Sequence, residues 1–346
     1  MEKFMYVIIV FIVNMIFTTF LSAIDDYDNR RIEKMWDLDT IDRKPPQIEK
    51  KQIQSKIQMP PFLSTFIPEK QEFQVIPQSD NTITGKYGST VFIPANSISL
   101  PMNFRRGDIV VLELIELIND LDFLTAGLDL NYTDAKGTNY ILESGGAVKL
   151  SLTYYSKPLM LKRGSRLKLN IPIRDNGKQM KVFKMDEIRE AWSDRGFDEK
   201  AGTLADSKER VTGFMEDLQW WGFKNPNSET TCITGQMENA EKNPPYTVFV
   251  IGLDFLGTLG KNFTGNEFSI NVPKDKKVKI LVLDEKGNMG ISQEIKTNSE
   301  KYYLSMDEKN TNKCMNIGSL GLKKVSTEIR QNRNKFINYL GLKDEM

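Results

Sequence analysis

The sequence predicts an all-β protein: two consecutive antiparallel β-sandwich domains, preceded by a signal or anchor segment and followed by a C-terminal helix. Three observations support this prediction. The N-terminus has a long uncharged run, residues 71–322 contain short segments in which apolar and polar residues alternate, and an apolar stripe with helical spacing follows residue 323. At 346 residues the chain is long enough for two domains and their tails.

The composition excludes several kinds of active site. The chain has no histidine, which excludes a Ser-His-Asp or Cys-His nucleophile, a histidine general base and a histidine metal ligand. Its 47 Lys and Arg nearly balance its 46 Asp and Glu, and this balance argues against nucleic-acid binding, which needs a basic surface. We therefore predict no nucleic-acid partner, no metal and no cofactor.

Residues 1–23 are predicted to be a signal peptide or a membrane anchor. Residues 4–23 carry no charge, Lys3 precedes them and acidic residues follow them, which is the order found in a secretory signal. Small residues predict cleavage after Ala23. The alternative is an uncleaved anchor, because about 20 apolar residues can cross a bilayer. In either case, membrane contact is expected only through this segment.

Residues 24–70 are predicted to be an extended linker. They mix charges of both signs with two proline pairs and show no sustained apolar period. Such a segment does not bury enough surface to offset the entropy lost on ordering. The alternative is a partner-binding strip in which Trp36 or Phe62 serves as the anchor.

Residues 71–225 are predicted to form the first sandwich and to end in an aromatic junction segment. The runs 108–117, 147–154 and 166–173 alternate apolar and polar residues, as strands with one buried face do. Glycines that permit turn backbone are expected between the strands, namely at Gly85, Gly88, Gly145 and Gly146.

Two motifs in this region resemble a known family. Residues 83–97 read ITGKYGSTVFIPANS and residues 142–148 read LESGGAV, which is similar to a domain that recurs in bacterial envelope proteins. That domain is distantly similar to the ZU-type β-sandwich of ankyrins and netrin receptors. Some ZU-type domains cleave themselves at a His-Phe-Ser site. The absence of histidine means that this activity is not carried over.

Three tryptophans are the candidate ligand-platform residues: Trp192, Trp220 and Trp221. A tryptophan pair can stack on a sugar ring or fill the junction between two domains. The family resemblance favours the junction, because an aromatic Gly-Trp segment commonly ends this type of domain.

Residues 226–322 are predicted to form the second sandwich and contain both cysteines. Residues 265–273, GNEFSINVP, and the strand at 277–284, KVKILVLD, resemble the carboxypeptidase regulatory-like, Ig-like domains, which serve as non-catalytic spacers or docking modules. Cys232 and Cys314 lie one at each end of this domain, and export would permit a disulfide between them. Two buried free thiols are the alternative.

Residues 323–346 are predicted to be a C-terminal amphipathic helix. Val325, Ile329, Phe336 and Leu340 share one face, and Gly341 stands where a C-terminal cap is expected. Packing of this face onto the preceding sandwich is favoured over docking to a partner or a membrane surface.

These observations predict an exported, non-enzymatic protein of a bacterial cell envelope, in the periplasm, at the outer-membrane surface or outside the cell. Its role would be structural, adhesive or protein-binding, and its partner an envelope protein or a glycan. This hypothesis predicts an exposed apolar patch on a sandwich or on the C-terminal helix. The alternatives are a carbohydrate-binding module with exposed tryptophans and a hydrolase that uses two carboxylates.

Overall fold

A computed structural model describes residues 59, 61–172, 180–187, 191–195, 210–238, 245–305 and 311–342. The signal or anchor segment, the cleavage site after Ala23 and Trp36 lie outside the described residues. Strands account for 53% of the structure and helical residues for 10%, so the predicted all-β class is confirmed. No helix among the described residues is long and apolar enough to span a bilayer.

The first half begins with a 3-10 helix, Pro61–Phe66, and contains one α-helix, α1 (Asp120–Ala126). Its first strands are β1 (Gln71–Val75), β2 (Asn81–Thr84), β3 (Thr90–Ile93), β4 (Ile98–Ser99), β5 (Val110–Leu117), β6 (Asn131–Thr133), β7 (Asn139–Tyr154), β8 (Lys157–Pro158), β9 (Met160–Leu161) and β10 (Leu167–Pro172). The next are β11 (Lys181–Asp186), β12 (Ala191–Asp194), β13 (Arg210–Met215) and β14 (Trp220–Asn227).

These strands form two main layers. The larger sheet has the order β1-β5-β7-β14-β11-β12, with β6 and β8 also paired to β7, and the smaller has the order β13-β10-β3-β2. Strands β4 and β9 make a separate pair. Alternate residues of β5 and β10 are buried, and the side chains from both layers meet in one apolar cluster that includes Val91, Leu112 and Leu169. This is the layered arrangement that the alternating pattern predicts.

The second half contains two further sheets and two short helices. Its elements are β15 (Thr230–Glu238), β16 (Pro245–Gly252), β17 (Thr258–Thr264), β18 (Glu267–Pro273), β19 (Lys277–Asp284), β20 (Asn288–Ile291), β21 (Ile295–Lys296), β22 (Met315–Gly321), β23 (Lys323–Lys324), α2 (Thr327–Gln331) and α3 (Arg333–Leu340). The sheet orders are β18-β15-β22 and β17-β16-β19-β20-β23, with β21 paired to β19.

One ladder differs from the predicted antiparallel pairing. Strands β15 and β22 run parallel, with Ile233 opposite Met315. Strands β16 to β21 lie between β15 and β22 in the chain, so a long crossover joins these two neighbours. Parallel neighbours need such a long crossover.

The two halves share a buried core. Strand β14 runs across the boundary predicted between residues 225 and 226. Phe183 and Trp192 from the first half belong to the same apolar cluster as Val248 and Phe268 from the second. A backbone hydrogen bond of 2.9 Å from the Ser144 N–H to the Leu256 carbonyl also joins the halves. The halves therefore meet through a continuous packed interface.

The end of the predicted linker, residues 61–70, belongs to the fold. Leu63 and Phe66 are buried. Phe66 stacks on Phe336 with ring centroids 4.8 Å apart, and Phe62 meets the same ring edge-on at 5.9 Å. The linker prediction is wrong for these residues, and Phe62, the anchor of the alternative hypothesis, contacts Phe336 of its own chain.

The C-terminal segment is not one helix. Asn332 is extended, with φ −119° and ψ 114°, and its side chain accepts a hydrogen bond from the Lys335 N–H, so that α3 begins as a new helix after α2. The predicted cap at Gly341 is confirmed by its φ of 61°. Phe336 and Leu340 pack with Phe249 of the second sandwich, as the apolar stripe predicts.

A buried carboxylate explains the ITG-x-x-G motif. Glu116 accepts hydrogen bonds from the Gln71 side chain at 2.8 Å and from the backbone N–H groups of Tyr87 at 3.1 Å and Ser89 at 3.0 Å. A Cβ on Gly85 would collide with this carboxylate. The motif therefore holds a turn closed around Glu116 and needs no ligand.

The second glycine motif is not a turn. Gly145 and Gly146 lie inside β7, where the register with β14 shifts between Phe223 and Lys224 and leaves a bulge. Gly146 has φ 141°, and a Cβ there would lie 2.7 Å from Ile171 Cγ2. The turn prediction is wrong here because the second half covers this part of β7 and the strand continues beneath it.

Candidate functional site

The three tryptophans are buried, and the prediction of an exposed ligand platform is wrong. Trp192, Trp220 and Trp221 are 4%, 9% and 1% exposed. The Trp192 indole N–H donates to the Asp129 carbonyl at 2.6 Å, and that of Trp221 donates to the Asp217 carbonyl at 3.1 Å. Trp192 and Trp220 fill the core that the two halves share, because the second half covers the rings that the sequence alone leaves without a partner.

The predicted disulfide is present. Cys232 on β15 and Cys314, immediately before β22, are bonded, with Cα atoms 4.7 Å apart. Cys232 and Cys314 pack with Leu304, and partly buried Tyr302 lies against them. The bridge holds β22 at the edge of its sheet and covers the segment that leads to it.

Lys224 is a buried lysine that no sequence pattern singles out. It is fully buried on β14. Its Nζ lies 2.7 Å from Ser144 Oγ, 4.7 Å from the Phe123 ring centroid and 4.6 Å from that of Trp192. In the described part of the chain no carboxylate forms an ion pair with it. Burial holds its pKa well below the usual lysine value.

The Ser144–Lys224 pair has the contact distance of a serine–lysine dyad, in which a neutral amine takes the hydroxyl proton. Ser144 is itself buried, and its Oγ accepts a hydrogen bond from the Gly146 N–H at 3.1 Å. Both partners therefore lie in the interface between the halves, where a substrate has no room, and the pair serves as a polar contact within the core.

The carboxylates of Asp129 and Asp284 both make local contacts beside turns. Burial raises the pKa of Asp129 to about 6, and its carboxylate accepts from the Asn131 side chain at 2.7 Å. Asp284 lines a cavity of about 270 Å³, but its two carboxylate oxygens accept from the backbone and side chain of Asn288. Each carboxylate closes its own turn.

The exposed end of the first sandwich combines apolar and basic side chains, and we call it the basic–apolar end. The connections β1–β2, β4–β5, β7–β8 and β8–β9 meet there. They are brought together because Val75 pairs with Val110, Val111 with Thr153 and Ser99 with Met160. Its exposed apolar members are Ile76, Met102, Ile109, Tyr155 and Met160. Its exposed basic members are Arg105, Arg106, Lys157, Lys162 and Arg163.

The acidic groups at this end are already engaged. Asp80 accepts from the Ala95 N–H at 2.7 Å, and Glu216 pairs with Arg166 at 3.3 Å. Asp108 accepts from the Tyr154 hydroxyl at 2.5 Å. Within the described part of the chain, Arg106, Lys157, Lys162 and Arg163 form no ion pair, so the basic charge of this end faces solvent.

Tyr155 stands at the tip of a hairpin in a strained conformation. Tyr155 and Ser156 have φ of 47° and 60°, the left-handed backbone of a type I′ turn, for which Asn and Gly are the favoured residues. Such a conformation is unusual for a bulky side chain. The Tyr155 ring is 80% exposed. Backbone strain of this kind is frequent at functional positions.

The Tyr154–Asp108 hydrogen bond fixes the long loop at this end. It raises the pKa of Tyr154 to about 12 and holds the pKa of Asp108 below its usual value. Tyr154 also packs against Phe104, with ring centroids 5.1 Å apart. These contacts tie the loop that carries Met102 and Arg105 to the end of β7.

Tyr154→Phe is expected to destabilise the protein at neutral pH. The pKa of Asp108 is lowered in the folded state, so the ionised carboxylate stabilises the fold. This contribution to the unfolding free energy is complete above the unfolded pKa of about 3.9 and is lost as the pH falls through the folded pKa. Urea unfolding of both proteins between pH 7 and about pH 2 measures this. The difference in unfolding free energy between the wild type and Tyr154→Phe should shrink in the acid range. A difference that is constant with pH would contradict the assignment of the lowered pKa to the Tyr154–Asp108 hydrogen bond.

Comparisons with known proteins add little. No protein-family model and no curated protein match the chain. Among solved structures, the chain is similar to a crystal structure of gamma-CGTase from alkalophilic Bacillus clarkii, with 10% sequence identity and a TM-score of 0.18. The match covers 75% of this chain and 42% of that one. A likeness this weak supports no statement about function.

Proposed function

We propose that the chain is an exported, non-enzymatic protein of a bacterial cell envelope. It acts as a rigid structural and interaction module and docks through its basic–apolar end. The disulfide between Cys232 and Cys314 is the observation that supports export most directly, because such bonds persist in oxidising compartments. The uncharged run at residues 4–23 agrees with it.

The packing between the halves supports a structural role. The shared core, which includes the buried Trp192 and Trp220, joins the two sandwiches over a continuous apolar area, and the backbone hydrogen bond from Ser144 to Leu256 adds to it. The 3-10 helix and α3 are clamped together by Phe66 and Phe336. A module of this kind holds its ends at a fixed separation, which is what a spacer or a scaffold requires.

The basic–apolar end supports the interaction role. A cluster of exposed apolar residues on one surface is unusual for a protein without a partner. The sequence hypothesis of a structural or protein-binding module predicts such a patch on a sandwich. Carbohydrate binding is not favoured, because the three tryptophans it requires are buried.

Export can be tested with the full-length chain produced in a bacterial host. Cells are fractionated, proteins are alkylated without reduction, and the intact mass is measured. The proposal predicts an envelope fraction that has lost residues 1–23, or retains them as an anchor, and that takes up no alkylating reagent at Cys232 or Cys314. A cytoplasmic protein with two alkylated cysteines would contradict it.

A further inference from the structure

We propose that the basic–apolar end binds the surface of an anionic phospholipid bilayer. This inference rests on the proposed function, because it requires export to an envelope compartment. It assigns a second membrane contact to a folded part of the chain, independent of residues 4–23. The occupant is a lipid surface and not a protein, for reasons of charge and of shape.

The unpaired cations of this end favour an anionic partner. Arg106, Lys157, Lys162 and Arg163 are exposed and form no ion pair in the described part of the chain. The acidic groups beside them are held by hydrogen bonds or an ion pair. The net charge of the whole chain is only +1, so this end concentrates cations that elsewhere are balanced. A basic cluster of this kind is attracted to anionic headgroups.

The positions of the exposed apolar side chains also suit a lipid surface. Met102 and Tyr155 lie on connections between strands, and Met160 begins the two-residue strand β9, outside the two main sheets; each of the three is at least 70% exposed. Side chains on separate tips, flanked by Lys and Arg, can enter the headgroup layer one by one while the cations stay at its surface. A tyrosine is suited to that depth, because its ring is apolar and its hydroxyl is polar.

The strained turn agrees with this assignment. Tyr155 keeps a left-handed backbone in which Asn would be at lower energy. Its ring packs only against the edge of Tyr154, 4.6 Å away. Tyr155 costs stability and projects its aromatic ring into solvent. Insertion of the ring into a lipid surface would explain both features.

The test is co-sedimentation of the purified exported protein with two kinds of vesicle: phosphatidylcholine alone, and phosphatidylcholine with phosphatidylglycerol in equal parts. We expect binding to the anionic vesicles that is lost in about 1 M salt, where charges are screened within about 3 Å, and weak binding to the neutral ones. If residues 4–23 remain attached, their contribution is the same for both vesicles, so the difference between vesicles reports the folded end.

Matched variants locate the contact. Neutralising Lys162 and Arg163 to Gln is expected to weaken binding to anionic vesicles about 30-fold, since each cation near the surface contributes about fivefold. Neutralising Lys323 and Lys324, an adjacent exposed pair on the second sandwich, removes the same charge and should change binding little. Equal losses in both variants would overturn the assignment.

Tyr155→Asn separates binding from folding. It is expected to raise the melting temperature, because Asn suits the left-handed turn, and at the same time to weaken vesicle binding. Loss of stability together with binding would indicate a structural role for Tyr155. An exported, disulfide-bonded protein that leaves anionic vesicles unbound, or that binds an acidic peptide in their place, overturns this inference alone. Retention in the cytoplasm overturns the proposed function.

Discussion

Removing the Cys232–Cys314 disulfide is expected to lower the free energy of unfolding by about 4 kcal/mol. A bridge that closes a loop this long restricts the unfolded chain strongly, and the chain-entropy treatment gives about 4–5 kcal/mol. The bridge also fixes the edge strand β22 beside β15. Replacing both cysteines by alanine and measuring urea unfolding tests the expectation.

The control is the unaltered protein in a reducing agent. Reduction and the double alanine variant should lower the unfolding free energy by similar amounts, and hydrogen exchange should speed up first in β22. A variant as stable as the oxidised protein would show that the bridge contributes nothing beyond the surrounding packing.

Lys224→Met is expected to stabilise the protein by about 1–3 kcal/mol at neutral pH, the usual cost of an incompletely satisfied buried polar group. The amine is fully buried, and Ser144 and two aromatic rings are its contacts. Methionine fills a similar volume among the rings and requires no desolvation of a charge. The variant should also lack a pH dependence of the unfolding free energy that the wild type should show.

The sign of that dependence follows from the lowered pKa of Lys224. Between the lowered folded pKa of Lys224 and its unfolded pKa of about 10.4, the unfolded chain binds a proton that the folded chain does not, so wild-type stability should rise with pH in that window relative to the variant. Lys168→Met, on the half-exposed face of β10, is the control and should change stability by less than about 0.5 kcal/mol. A Lys224→Met protein that is less stable than wild type at neutral pH would contradict this account of the buried amine.

The parts of the fold set by local pattern could be predicted. The alternation at residues 277–284 matches β19, the apolar stripe matches the buried face of α3, and Gly341 forms the expected cap. In each case the determinant is a short-range property, either side-chain period or the backbone freedom of glycine. The disulfide was predicted from two cysteines together with the export that the N-terminal run suggests.

The parts of the fold that depend on contact between the two halves could not be predicted from the sequence. For the aromatic segment at 214–223 the sequence favours a junction over a ligand platform but leaves both open, and it is the packing of the second half that buries Trp220. Phe62 and Phe66 find their partner in Phe336, far along the chain. Lys224 reads as an exposed strand residue, because nothing local shows that both faces of β14 are covered.

The basic–apolar end was also beyond local pattern. Its cations come from two separate loops, 101–109 and 155–163, and each loop alone reads as an ordinary polar connection. Only the pairing of β4 with β9 and of β5 with β7 brings these loops to one surface. In the net charge of the whole chain, these cations are offset by acidic residues elsewhere.

The measurement that tests the account most directly is photo-crosslinking in the intact envelope. A photoreactive amino acid is placed at Tyr155 in one protein and at Lys324, exposed on the second sandwich, in another. The account predicts crosslinked products from position 155, with lipid as the inferred partner, and none from position 324. Crosslinks from position 324 without any from position 155 would contradict the claim that this protein acts through its basic–apolar end.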